Sequence, residues 1–263
     1  MAVRFSLHRR LLPGLRFSVV TAPAAGGDAA AKAFDSLLEE HWQASVDEQV
    51  FFRRDPDSFR MSDTLPAWTA AARQRRHDYN TTVLEQLQAL DSADLTESQR
   101  VSYQVFLYER KAERDSFAQP EHLFPFTNRT SWQSYFVNAP ENMSFLTEAD
   151  YRRYLSALAD YPRYNAEKLA LLQQALARGY THYCESMAGF EDAIAADIVD
   201  DAEDSALFAP FAALPAAFPE ATRASLRKQA AELIGEQVIP AFAAFHAFYT
   251  REYAPRCREA PGI

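Results

Sequence analysis

Glycine, cysteine and long apolar runs are all scarce in this sequence of 263 residues. Seven glycines are few for the tight turns of a sheet-rich protein, so the composition favours helices. Two cysteines are too few for the framework of a small disulfide-rich domain. No apolar run approaches the length of about 18 residues that a membrane-spanning helix needs, so we predict no membrane span.

Basic residues are also in deficit. Lys and Arg number 27 against 36 Asp and Glu, which gives a net charge of −9 and excludes the electrostatic footprint of a nucleic-acid-binding protein. Hydrophobic residues make up 48% of the chain and aromatic residues 13%, which is enough apolar material to exclude intrinsic disorder. The chain is long enough for one large domain or two small ones.

The two cysteines are Cys184 and Cys257. Sequence spacing alone fixes no connectivity between them. We predict two separate thiols, with a disulfide between them as the alternative.

Residues 1–28 are predicted to be a flexible or vestigial leader that precedes a helical domain over 29–263. The N-terminus is basic and contains leucines, but Pro13, Gly14 and Arg16 interrupt the apolar stretch that a secretory signal needs. An export signal is therefore the less favoured interpretation. The sequence does not determine the compartment, and a cytoplasmic location is one of the alternatives.

Apolar residues recur at three- and four-residue spacing along the rest of the chain, which predicts an all-α fold, an irregular array of helices. We expect helices from Ala29 onward and over 66–90, 96–117, 147–178 with an interruption at Pro162, 184–198 and 219–253. Pro240 should kink the long C-terminal helix near Gln237. Residues 119–146 contain three prolines and many aromatic residues, which predicts a long, irregular, aromatic-rich loop packed against that helix.

No complete catalytic or metal-binding motif is present. None of the six histidines has the second histidine and glutamate of a helical zinc site, and no glycine-rich phosphate loop or nucleophile elbow occurs. Three ligand types fall together at His182, Cys184 and Glu185, but their spacing matches no standard motif. We therefore predict no metal ligand, no catalytic residue and no cofactor in this chain.

The aromatic-rich loop is the best candidate for a binding site. Arg129 lies near Trp132, and an arginine beside aromatic rings can receive a carboxylate or a peptide group. Tyr180, just after the Arg178-Gly179 helix stop, completes the predicted cleft. The favoured alternative is that the loop is a buried cross-brace between helices, because aromatic rings are mostly core material.

Four ordered segments resemble one family. They are Glu121-His-Leu-Phe-Pro-Phe-Thr-Asn-Arg, Ala149-Asp-Tyr-Arg-Arg-Tyr-Leu-Ser-Ala-Leu, Gln174-Ala-Leu-Ala-Arg-Gly-Tyr-Thr and the stretch from Tyr249 to Ile263. Together they resemble the N-terminal half of the bacterial "domain of unknown function 885" proteins. The resemblance implies a helical part of a zincin-like metallopeptidase, whose zinc motif would lie downstream of the Pro-Gly segment at the end of this chain.

On this resemblance we expect a truncated, non-catalytic scaffold that forms part of a cleft for a peptide-like substrate. Zinc is expected only for the full-length family, whose members are often periplasmic or lipid-anchored. A truncated half should expose an apolar face, most of it on the last helix and the aromatic loop, and should self-associate. The alternative function is a helical binding module with no enzymatic activity or ancestry. The DNA downstream of codon 263 would distinguish the two.

Overall fold

The computed structural model of the protein describes residues 25–49 and 64–261. Within them the chain folds into helices and contains no strand, so the all-α prediction is confirmed. The α-helices are α1 (Ala25–Gln49), α2 (Ala70–Gln88), α3 (Glu97–Ser116), α4 (Trp132–Asn138), α5 (Glu148–Ala177), α6 (Phe190–Ala195), α7 (Ala209–Ala212), α8 (Glu220–Leu233) and α9 (Ile239–Phe248). Short 3₁₀ turns connect many of them. No described helix is long and apolar enough to cross a membrane.

The first helix begins at Ala25, four residues before the predicted start. Residues 1–24 of the predicted leader lie outside the described residues. The start of α3 follows the sequence signal closely: the Thr96 hydroxyl accepts from the Gln99 backbone N–H at 3.3 Å, and the Gln99 side chain accepts from the Thr96 N–H. This reciprocal capping satisfies two backbone donors that the first helical turn leaves without partners.

The prediction that Pro162 interrupts the fourth helix is wrong. Helix α5 is 30 residues long and continues without a break through Pro162. A proline inside a helix costs about 3 kcal/mol because it removes one hydrogen bond and crowds the preceding turn. The flanking side chains Tyr161 and Tyr164 are buried in the core, and the burial of two such rings offsets that cost. Helix α5 ends at Ala177, one residue before the predicted end, and Gly179 follows the cap with a φ of 75° that suits glycine, as the sequence signal predicts.

The predicted C-terminal helix is present with its kink. Helix α8 passes into a π-helical segment, Ile234–Val238, and α9 follows with Pro240 in its first turn. The missing N–H of Pro240 removes a hydrogen bond from the turn before it, and the wider π turn absorbs the change at the predicted place. A second π-helical segment, Tyr249–Tyr253, follows α9.

The core of the described residues has one large cluster, one small cluster and a third group of only three buried residues, Leu123, Leu171 and Ala175. The large cluster joins α5, α8 and α9 with the shorter helices around them, and its largest fully buried side chains include Tyr154, Tyr161, Phe242 and Phe245. The small cluster holds α1, α2 and α3 together around Phe34, Leu87 and other apolar side chains. The first three helices therefore form a unit with its own apolar centre.

The aromatic-rich segment 119–146 is less irregular than predicted. It contains α4, capped by Ser131, and two 3₁₀ turns, Pro120–Leu123 and Ala139–Asn142. Its packing against the C-terminal helix is confirmed, because the ring of Trp132 lies 4.1 Å from that of Phe245.

The prediction of two separate thiols is wrong, because Cys184 and Cys257 form a disulfide across 73 residues of sequence. The chain after α9 turns back beside the segment that follows α5. The backbone N–H of Cys184 donates to the Arg258 carbonyl at 2.9 Å, and the N–H of Arg258 donates to the His182 carbonyl at 2.9 Å. These two hydrogen bonds align the segments and bring the sulfur atoms together.

The large exposed apolar side chains of the described residues lie mostly elsewhere than predicted, and only Tyr135 and Leu146 belong to the aromatic-rich segment. The apolar residues of α9 are mostly buried in the core. The large exposed hydrophobic residues of the described chain are instead Trp42, Tyr79, Val101, Val105, Tyr108, Tyr135 and Leu146. Most of them lie on the first three helices, where tertiary packing leaves one face of the unit open.

Candidate functional site

A groove with a volume of about 950 Å³ lies among the first three helices. Helices α1, α2 and α3 pack around the small apolar cluster, and side chains of all three helices line the groove. Trp42 and Tyr79 are 50% and 39% exposed and present aromatic rings in this groove. The His41 ring stacks on Tyr79 with the ring centres 5.9 Å apart and holds it in place.

Charged side chains line the walls of this groove, and two of its arginines are already paired. Arg76 lies 2.7 Å from Glu48, and Arg110 lies 2.5 Å from Glu113. The further acidic residues Asp35, Glu39 and Glu109 and the exposed Arg75 complete the polar lining. Exposed aromatic rings between charged walls suit a ligand with both apolar and hydrogen-bonding groups, such as a peptide.

The structure places the three predicted site residues in three different environments. Trp132 is 1% exposed, and its indole N–H donates to the Asn165 Oδ1 at 2.8 Å. Arg129 is exposed in the turn before α4. Tyr180 is half-buried, with its ring edge against Phe124. None of the three lines either of the two described pockets, and their part in substrate binding stays a prediction.

The burial of Trp132 has a testable consequence through Asn165. The Asn165 side chain accepts from the indole and donates to the Ala241 carbonyl at 3.0 Å, so it ties α4 to α9 through α5. Replacing Asn165 with alanine leaves two buried polar groups without partners. We expect the free energy of unfolding to fall by about 2 kcal/mol in urea denaturation.

Asn142→Ala is the matched control, because Asn142 is exposed, and its effect should stay within about 0.5 kcal/mol. Equal stability of the Asn165→Ala variant and the wild type would show that this buried link contributes nothing.

Sequence reasoning missed Lys168, a buried cation on α5. Lys168 is only 4% exposed, and its Nζ lies 3.0 Å from the centre of the Trp68 ring. Arg76 lies over the same ring at 5.2 Å. Burial, reinforced by the charge of Arg76 and opposed by Glu167, lowers the pKa of Lys168 to about 6. The signal was available, because Lys168 follows Tyr161, Tyr164 and other core residues at helical spacing.

Around Lys168, polar contacts among the described residues engage the two nearby carboxylates of α5. Both carboxylates on this face of α5 are engaged elsewhere. Asp160 accepts from the Leu65 N–H at 2.8 Å, and Glu167 accepts from the Trp68 N–H at 2.6 Å. Arg163 bridges them, at 2.7 Å from Asp160 and 2.9 Å from Glu167. This network fixes the segment before α2 against α5 and places Trp68 over the lysine.

A smaller pocket of about 190 Å³ lies between α2 and the end of α3. The guanidinium of Arg73 and the ring of His77 both pack on the ring of Phe117, at 3.9 Å and 3.8 Å from its centre. Burial, together with Arg73 and Arg178, lowers the pKa of the neighbouring His122. The acidic Glu113 and Glu121 also line this pocket, so it carries no net excess of positive charge.

His182 lies beside the disulfide, and its Nδ1 is 2.7 Å from the hydroxyl of Tyr253. Burial lowers the pKa of His182. Cys184, the nearest sulfur in sequence, is consumed in the disulfide. Within residues 25–49 and 64–261 no group of three or more His, Cys, Asp or Glu side chains could hold a metal ion. The described residues therefore do not fit the zinc site that the family resemblance implies for the full-length proteins.

Comparison with known proteins agrees with the resemblance seen in the sequence. Residues 52–262 match a family model described as "Bacterial protein of unknown function (DUF885)". No curated protein matches this chain.

Proposed function

The chain belongs to the DUF885 family, and we propose that it serves as a non-catalytic helical scaffold that forms part of the peptide-binding cleft of a zinc-dependent, peptidase-like protein. The single observation that carries this proposal is the groove among α1, α2 and α3, which offers exposed aromatic rings between ion-paired walls. We propose zinc chemistry only for longer proteins of this family and not for the described residues.

The groove supports a binding role through its size and lining. Its volume of about 950 Å³ is within the range of sites that enclose small ligands or a few residues of a peptide. The rings of Trp42 and Tyr79 can cover apolar side chains. The exposed Arg75 and the nearby Glu39 can pair with the charged groups of the same ligand. Because Arg76 and Arg110 are held by acidic neighbours, the walls are ordered before a ligand arrives.

The second candidate function is a helical binding module with no enzymatic activity or ancestry. The observation that favours it is the lack of a metal-ligand group within the described residues. Both functions use the same groove, so peptide binding alone does not separate them. A longer family protein that carries the same groove and hydrolyses peptides would support the peptidase-like function.

The test of the scaffold proposal is an assay of the purified chain for peptide hydrolysis, with zinc content measured in parallel. We expect no hydrolysis above the buffer rate and less than stoichiometric zinc, because no described ligand group is available. A hydrolysis rate that a chelator abolishes and added zinc restores would contradict a non-catalytic role.

Binding is tested separately with a library of short unmodified peptides, by nuclear magnetic resonance. Shifts in the Trp42 indole signal that are lost in Trp42→Ala would locate binding in the groove. Loss in Arg129→Ala instead would support the cleft predicted at Arg129, Trp132 and Tyr180. Tyr135→Ala, another exposed aromatic residue outside both sites, is the control.

We also infer that the chain works in an oxidising compartment. The supporting observation is the disulfide between Cys184 and Cys257, a bond that persists outside the reducing cytoplasm. Mass determination of alkylated protein from periplasmic and cytoplasmic fractions of the native host tests this. Recovery only in the cytoplasmic fraction, with both thiols alkylated, would contradict it.

A further inference from the structure

The outer face of α3 carries an apolar stripe that the described chain leaves uncovered. Val101, Val105 and Tyr108 are 63%, 54% and 74% exposed. Their spacing of four and three residues places them on one side of the helix. The opposite side of α3 carries Tyr103 and Phe106, which are buried in the cluster of the first three helices. The stripe is therefore a second apolar face on α3, whose first apolar face is packed in the cluster of the first three helices.

Charged residues on one flank of this stripe are arranged with opposite signs at its two ends. Glu97 lies in the first turn of α3, and Lys111 lies 14 residues later, close to four full turns away. Both therefore project on nearly the same flank. Neither forms an ion pair with another described residue.

This arrangement is self-complementary under a two-fold axis. If a second copy of α3 packs antiparallel with the axis between Gln104 and Val105, Val101 of one copy lies opposite Tyr108 of the other. Rotation about this axis places the flank that carries Glu97 and Lys111 in one copy beside the same flank of the other copy. Glu97 of each copy then lies beside Lys111 of the other, which gives two equivalent ion pairs. A closed two-fold contact of this kind uses the same surface on both partners.

We propose that the α3 face of Val101, Val105 and Tyr108 is a homodimer contact, in which two copies pair antiparallel with Glu97 of each beside Lys111 of the other. This interaction surface goes beyond the proposed function and does not depend on it. One helix of 20 residues is about 30 Å long, so the contact is small and the dimer should be weak. On α3 the groove is lined by Phe106, Glu109, Arg110 and Glu113, none of which belongs to the stripe.

The test is sedimentation velocity of the full chain from about 10 µM to about 1 mM, the range in which a small contact forms dimers. The wild type should shift from monomer to dimer within this range. Val105→Glu should remove the shift, because it places two like charges together at the centre of the contact. Tyr135→Ser, at an exposed ring on α4, should leave the shift unchanged. Circular dichroism of each variant checks that the fold is retained.

Exchanging the charges of Glu97 and Lys111 distinguishes a second copy of this chain from any other partner bound to this face. Glu97→Lys alone and Lys111→Glu alone should each weaken dimerisation severalfold, because each places like charges side by side. The double variant Glu97→Lys with Lys111→Glu should restore it, because each copy then supplies both partners. Monomer throughout the concentration range, or a dimer that the double variant does not restore, would overturn the proposal.

Discussion

Replacing Cys184 and Cys257 with serine should lower the free energy of unfolding by about 4 kcal/mol. The disulfide closes a loop of 73 residues. In the chain-entropy treatment, a cross-link of this span removes about 4 kcal/mol of conformational freedom from the unfolded chain. Two backbone hydrogen bonds between the same segments remain in the variant, so the folded geometry should persist.

The measurement is urea denaturation of the wild type and the double variant, each with and without dithiothreitol. Reductant should move the wild-type midpoint toward that of the double variant and should leave the double variant unchanged. Because the linked unfolded chain is more compact, the wild type should also show the smaller denaturant slope when oxidised. A wild-type midpoint that does not respond to reductant, with the thiols shown to be reduced, would mean that the disulfide contributes little to stability.

Replacing Lys168 with methionine should raise the free energy of unfolding at pH 7 by about 3 kcal/mol. The amine is buried, and the neighbouring carboxylate of Glu167 is engaged by the Trp68 N–H and by Arg163. With a pKa of about 6 the folded amine is mostly uncharged at pH 7, so folding costs the several kcal/mol needed to remove its proton, whereas the contact with the Trp68 ring contributes about 2 kcal/mol at most. Methionine keeps the apolar stem of the side chain and packs well in irregular interiors.

The gain from this substitution should depend on pH. The pKa of Lys168 is lowered from 10.5 in the unfolded chain to about 6 in the folded protein. Between these values the unfolded chain binds more protons, so the stability of the wild type rises with pH. Below pH 6 both states are protonated and the cost of burial is complete. The advantage of methionine should therefore be largest near pH 6 and should shrink as the pH approaches 10.

Urea denaturation at pH 6, 7.5 and 9 measures this dependence. Lys228→Met is the control, because the Lys228 side chain is 76% exposed, and its effect should be small at every pH. The charged groups that face the amine are Arg76 and Glu167, with the phenol of Tyr164 nearby. A loss of stability in Lys168→Met at every pH would show that the charged amine stabilises the fold through Trp68.

Local signals in the sequence predicted the helices well where their cause was local. The capping box at Thr96 and the stop at Gly179 depend on residues within one or two turns, and both appear as predicted. The kink before Pro240 likewise follows from a missing backbone donor. Pro162 has the same chemistry but a different outcome. The burial of its neighbouring tyrosines is a tertiary effect that its own segment does not reveal.

The candidate sites were harder to predict than the helices. Aromatic residues in segment 119–146 indicated either a cleft or a brace, and only the packed structure shows Trp132 enclosed and bonded to Asn165. The groove of Trp42 and Tyr79 combines residues from three helices whose arrangement in space no local pattern predicts. Lys168 lies on a periodic core stripe, so helical spacing alone could have identified it.

The sequence contains no complete catalytic or metal-binding motif, and its other features divide into those that are local and those that depend on the tertiary structure. The sequence by itself determined the all-α class, the bounds of α3 and α5 to within one residue and the family resemblance, because helical periodicity, capping and motif order are local properties of a chain. The tertiary structure alone decided the disulfide, the contacts of Lys168 with Trp68 and its surroundings, the groove and the exposed face of α3. Each of these depends on which residues distant in sequence come together, and that is set by how the helices share one apolar core.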